Sequence, residues 1–160
     1  RDLRMGPAEG QIQLDVTYAE GTPEIKGDPT LIHKALYQLM VNAIKYTPDG
    51  GKVHITTRPT VMEDGSPCLE IAVRDQGIGV DVEHHELIFE KFYQVGEVAL
   101  HSSGKTTFKG GGPGLGLALV RGVARAHGGK VWVESAGHDE ANFTGSTFYL
   151  LLPLVPREQT

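Results

Sequence analysis

A chain of 160 residues is the size of one domain and long enough to bury a core without disulfides or metals. Its composition, 39% hydrophobic and 22% charged, is that of a soluble globular protein and excludes the fibrous and disordered classes. The formal net charge of -5 gives no global attraction to nucleic acid, and no apolar run reaches the length of a membrane-spanning helix.

Residues 11–18 alternate apolar and polar, which predicts a strand. A turn over 20–23 leads to Ile25, expected in a second short strand. Asp28-Pro29 then opens a helix, with Asp as N-cap and Pro at the first helical position. Leu31, Ile32, Ala35, Leu36, Leu39, Met40, Ala43 and Ile44 form its apolar stripe, and residues 47–51 end it. Residues 52–61 and 68–75 predict an antiparallel pair joined by a turn at 63–67. Val53, Ile55 and Thr57 share one face of the first strand, and Leu69, Ile71 and Val73 one face of the second. A short helix is expected over 83–89. Residues 93–113 carry no periodicity, and a structureless loop of that length is a functional or mobile element. A second long helix fits 114–127, stopped by Gly128-Gly129, and strands at 130–135 and 146–152 follow. The sum is an α+β domain: one mixed, largely antiparallel sheet with helices on one face, a two-layer sandwich. No repeat or internal boundary is visible, so residues 1–160 read as one domain with its core from about residue 11 to about 153. The first residue is Arg1, and the chain reads as a piece of a longer protein. The single cysteine, Cys68, has no internal partner and fits a reducing compartment.

Chemistry concentrates in four segments. On the first helix, Gln38, Asn42 and Lys45 form a polar stripe beside the apolar face. An amide oxygen suits Mg²⁺, which keeps several waters and takes further ligands from substrate phosphates, and Lys45 can reach a phosphate. Alone, this stripe reads as a solvated helix face. Asp75-Gln76-Gly77-Ile78-Gly79 follows a strongly patterned strand. Its carboxylate can accept the amino proton of adenine, which guanine does not offer, and its glycines let backbone approach the base. Ile88, Phe89 and Phe92 read as core. Gly110-Gly111-Gly112-Pro113-Gly114-Leu115-Gly116-Leu117 runs into a helix, and exposed amides at a helix N-terminus make an anion site.

Taken in this order, residues 38–48, 75–79, 88–92 and 110–117 resemble the N, G1, F and G2 boxes of the histidine protein kinase ATP-binding domain. The resemblance covers almost the whole chain. It implies the Bergerat-type α/β sandwich, a Mg²⁺-ATP site, and transfer of the γ-phosphoryl group to a histidine on a separate dimerisation and phosphoacceptor domain of the same parent, with a response regulator downstream. It implies ATP contacts from Gln38, Asn42, Lys45, Tyr46, Asp75, Gly77, Gly79, Lys91, Lys105, Lys109, Gly110, Gly111, Gly112, Gly114, Leu115 and Gly116. Asn42 and Lys45 are the implied catalytic residues, and Asn42 the metal ligand. The segment from 93 to 113 is implied to be a lid that orders on ATP. The implied location is cytoplasmic, without membrane or nucleic-acid contact by this domain, whether or not the parent is membrane-anchored.

Departures from the pattern separate this chain from relatives. In the wider superfamily shared with gyrase, MutL and Hsp90, a Glu one turn before the metal-binding Asn activates water. Gln38 stands there, and a neutral amide takes no proton from water. This weighs against a conformational ATPase. The F-box-like segment 88–92 weighs against an anti-sigma-type serine kinase, and intact Asn42, Asp75 and glycines weigh against a non-catalytic nucleotide-sensing module. Pro113, where relatives carry Thr or Ser, removes an N–H donor. His84 and His85 read as surface residues of the short helix.

Overall fold

The structure is a computed structural model that describes residues 2–4, 11–18, 24–48, 50–77, 79–80, 84–90, 116–135 and 145–155. Among the described residues six strands make one sheet: β1 (Asp2–Arg4), β2 (Gln11–Tyr18), β3 (Lys52–Val61), β4 (Pro67–Asp75), β5 (Lys130–Glu134) and β6 (Ser146–Pro153). Their spatial order is β1-β2-β3-β4-β6-β5. The β2–β3 pair is parallel and every other pair antiparallel, so the sheet is mixed, as expected. The parallel pair is bridged by α1 (Pro29–Tyr46), since parallel neighbours require a crossover rather than a hairpin. The second helix, α2 (Gly116–Ala126), packs against α1 and contacts β5 and β6.

Period-two alternation explains why both helices lie on one face. Leu69, Ile71 and Val73 of β4 pair with Leu152, Leu150 and Phe148 of β6. Those rows join Val53 of β3, Val133 of β5, Ala35, Leu39 and Ala43 of α1, and Val120 and Val123 of α2 in the buried core. The other face carries cross-strand pairs of a different kind. Arg58 and Glu70 form an ion pair at 2.8 Å, and Trp132 stacks on Tyr149 with ring centroids 5.1 Å apart.

The start of α1 is fixed twice. The Asp28 carboxylate accepts from the backbone N–H groups of Thr30 and Leu31 at 3.0 and 3.2 Å, the expected N-cap. The Asp28 N–H in turn donates to Nε2 of His127, just beyond the end of α2, at 3.1 Å. His127 is buried, and its Nδ1 donates to the Val123 carbonyl at 2.9 Å, so the neutral ring ties one helix start to the other helix end.

Two expectations need correction, and one element was not foreseen. Ile25 is not in a strand: the Lys26 N–H bonds Leu154 O at 2.8 Å, but no ladder forms beside it. The helix expected over 83–89 is, among the described residues, a 3-10 turn at Leu87–Phe89, because Ile88 and Phe89 are held by core packing rather than helical periodicity. The strand β1 had no sequence signal, since three residues are too few to show alternation. The second helix appears as Gly116–Ala126, its expected first residues 114 and 115 lying outside the described set, as does the aperiodic stretch 93–113.

Candidate functional site

The apolar row Leu69, Ile71, Val73 on β4 continues, two residues on, to Asp75. Strand geometry therefore places a carboxylate where the next core side chain would stand. Asp75 is only 3% exposed. Its Oδ1 accepts from the Gly77 N–H at 2.9 Å and its Oδ2 from the Ser146 hydroxyl at 2.8 Å. Burial pushes its pKa from 3.8 up to about 6, and the bonds from Ser146 and Gly77 oppose that rise without cancelling it. A buried carboxylate whose charged form is disfavoured by burial is costly, and such groups cluster at functional sites.

Asp75 lines a cleft that is open to solvent. Among the described residues the lining is Asn42 and Tyr46 from α1, Asp75, Gly79 and Val80 from the end of β4 onward, Ile88 from the 3-10 turn, Leu117 from α2, and Ser146 and Phe148 from β6. Apolar walls with a few convergent polar groups are the usual character of a small-molecule site. The wall is braced from behind: Phe89 meets Phe148 edge-on with centroids 6.1 Å apart, and Arg121 of α2 donates to the Glu90 carboxylate at 3.0 Å.

Backbone proximity explains the glycines. At Gly77 a Cβ would overlap the carbonyl oxygen of Tyr46, so the segment after β4 passes directly beneath the end of α1. At Gly79 the backbone turns with a φ of 80°, a conformation glycine adopts freely. The turn sends the chain to Val80, whose N–H donates to Ser135 Oγ at 3.0 Å.

The structure thus brings Asn42, Tyr46, Asp75 and Gly79 to one cleft, and Gly77, itself buried, donates its N–H to Asp75. Gln38 lies elsewhere on α1, its side-chain oxygen against Gly116, where a Cβ would collide with it. Lys45 is half-buried, and burial lowers its pKa, but it is not among the residues lining the cleft. Lys91, Lys105, Lys109, Gly110, Gly111, Gly112, Gly114 and Leu115 lie outside the described residues. Sequence reasoning missed Ser146, Val80, Leu117 and Phe148, which arrive from other elements. It also read His85 as a surface residue, whereas the ring is partly buried and donates from Nε2 to the Val80 carbonyl at 2.9 Å. Among the described residues no group of three or more His, Cys, Asp or Glu could hold a metal. A metal that keeps its own waters and takes phosphate ligands needs no such group, so the Asn42 amide oxygen in the cleft is compatible with Mg²⁺.

An open mixed sheet with two helices on one face, and a buried carboxylate at the end of a central strand facing a cleft beneath the first helix, defines a class of α/β-sandwich domains. The chain belongs to the family described as "Histidine kinase-, DNA gyrase B-, and HSP90-like ATPase", whose sequence profile matches residues 27–156. It is 38% identical over 139 residues to the sensor-like histidine kinase SenX3 of Mycobacterium tuberculosis, covering 86% of this chain and 29% of that protein. Among solved structures it resembles the mycobacterial sensor histidine kinase MprB, with a TM-score of 0.69 and 28% identity over 91% of this chain and 84% of that one. It also resembles full-length ShkA in complex with AMPPNP, with a TM-score of 0.68 and 25% identity over 94% of this chain and 27% of that one. The chain spans 8% to 29% of the length of the first curated relatives it matches.

Proposed function

We propose that residues 1–160 form the catalytic ATP-binding domain of a two-component sensor histidine kinase. The domain binds Mg²⁺-ATP and presents the γ-phosphoryl group to a histidine on a separate dimerisation and phosphoacceptor domain of the same parent, with a response regulator receiving the phosphoryl group afterwards. The observation that carries this reading is the buried Asp75 carboxylate, aimed into a cleft that Asn42 also lines. Family membership and the likeness to an AMPPNP-bound kinase structure support the same reading.

Each residue has a job the geometry permits. Asp75 accepts the amino proton of adenine with one carboxylate oxygen, while Ser146 and Gly77 hold its orientation. Val80, Ile88, Leu117 and Phe148 exclude water around the base. Asn42 offers an amide oxygen to Mg²⁺, which when bound neutralises phosphate charge during transfer. Lys45, half-buried with its charged form disfavoured, gains most from a nearby phosphate. The glycines at 110–112 and 114, and Lys91, Lys105 and Lys109, are proposed phosphate contacts on chemistry alone. Gln38 is a neutral amide packed against Gly116, and no base for water stands at that position. Catalysis by this part is positioning and charge neutralisation.

Titration calorimetry with ATP and GTP tests the reading. ATP should bind in the presence of Mg²⁺ and GTP much more weakly, because guanine presents an oxygen where adenine presents an amino group. Equal affinities would remove Asp75 from the role of base reader.

A further inference from the structure

Val80 lines the cleft past the end of β4 and lies buried, 5% exposed. Outside a strand ladder its N–H and C=O need other partners, because a buried polar backbone group without one is costly. Both partners are side chains. Ser135 Oγ accepts from the Val80 N–H at 3.0 Å, and His85 Nε2 stands 2.9 Å from the Val80 oxygen. A carbonyl only accepts, so Nε2 of His85 carries a proton. Ser135 also donates to Gly145 O at 2.8 Å, and Gly145 N–H donates to Gly77 O at 2.9 Å. Among the described residues, Val80 is therefore held on one side by Ser135, at the end of β5, and on the other by His85.

His85 also precedes Ile88 by three residues on the same turn. Its hydrogen bond to the Val80 carbonyl ties the turn that carries Ile88 to Val80, two pieces of the cleft wall. We propose that His85 is a positioning residue for the nucleotide cleft: through the Val80 carbonyl it holds the apolar wall in the place where a purine base is taken up, and so sets nucleotide affinity. This rests on the nucleotide reading above. Without the donor, the Val80 carbonyl satisfies itself by turning to water, Val80 leaves the wall part of the time, and affinity falls by the fraction of time the competent wall is formed.

The test compares His85→Gln, His85→Asn and His85→Leu in this chain by titration calorimetry with Mg²⁺-ATP, together with thermal unfolding of the nucleotide-free proteins. The glutamine amide nitrogen reaches the position of Nε2, whereas the asparagine amide stops short of it. The Gln variant should bind ATP within about twofold of the parent, and the Asn and Leu variants about tenfold more weakly, the loss expected for one buried carbonyl left without its donor. If the Leu variant does not fold, the Gln and Asn pair, equal in polarity and differing in reach, decides alone. Equal affinity of the Gln and Asn variants, or parental affinity in all three, overturns the proposal. Failure of the nucleotide reading shows itself separately, as absence of ATP binding by the unaltered chain, and overturns this inference with it.

Discussion

Ser146 donates its hydroxyl proton to Oδ2 of Asp75 at 2.8 Å, across a strand pair in which the two residues stand directly opposite in register. The bond orients one carboxylate oxygen, and Gly77 orients the other. Removing it by Ser146→Ala leaves a buried carboxylate with one fewer donor. The variant should lose about 1–3 kcal/mol of stability at neutral pH, as a buried charged acceptor loses a partner. The Asp75 pKa should move further above about 6, because the hydroxyl is the largest influence holding it down. Denaturation curves at several pH values read both effects; unchanged stability at pH 8 would show the bond to be inert.

The raised pKa of Asp75 makes a signed prediction. The folded state keeps the proton up to about pH 6, while the unfolded chain releases it near 3.8. Between these values the folded state binds more protons, so stability falls as pH rises. The contribution is full below 3.8, lost above about 6, and on the order of 3 kcal/mol. Asp75→Asn removes the titration, so its stability should vary less than the parent's across that window, and its ATP affinity should drop at least tenfold. Parallel stability curves for parent and variant would contradict the assignment.

Asn42 lies off the buried stripe of α1. Asn42→Ala should therefore keep its thermal midpoint within a few degrees of the parent, since alanine is the best helix former. Its ATP binding should become insensitive to Mg²⁺. Calorimetry with and without the metal measures this, and a retained Mg²⁺ response assigns the ligand elsewhere.

His127 and Asp28 fasten the end of α2 to the start of α1. His127→Phe keeps a ring of similar size but strands the Asp28 N–H, and should cost about 1–3 kcal/mol. Asp28→Ala should cost about 1 kcal/mol through the lost cap. Urea titrations of both variants compare the two; a smaller loss for His127→Phe than for Asp28→Ala would make the inter-helix bond the minor of the two fastenings.

The isolated chain should bind ATP yet neither label itself nor release phosphate quickly. No base stands at Gln38, and the acceptor histidine is proposed to lie on another domain. Adding the parent's acceptor domain in trans should give slow, acid-labile transfer, slow because the tether that raises effective concentration is gone. Radiolabelled ATP follows both products. Rapid self-labelling of this chain alone contradicts the proposed division of labour.

The elements most legible in the sequence were those with a local cause. Asp28-Pro29 and the spacing from Leu31 to Ile44 marked α1 within a residue, and alternation marked β2, β3, β4 and β6 nearly to their ends. The short helix expected over 83–89 is, among the described residues, a 3-10 helix at Leu87–Phe89 and not an α-helix, because two buried side chains in a short segment carry no period. The partial burial of His85 has no local signal in the chain, because its partner Val80 is set by the fold.

The sequence by itself determined the fold class and the two helices, and it marked Asn42, Asp75, Gly77 and Gly79 as candidates, since period and residue chemistry are properties of neighbours along the chain. Only the tertiary structure decided that Asp75 faces Ser146, that the Tyr46 carbonyl covers Gly77, that Gln38 packs against Gly116 rather than into the cleft, and that His85 and Ser135 share the backbone of Val80. Those contacts join residues from 5 to 78 positions apart. Strand register and helix crossover set them, and no local pattern in the chain encodes which partner a buried polar group will find.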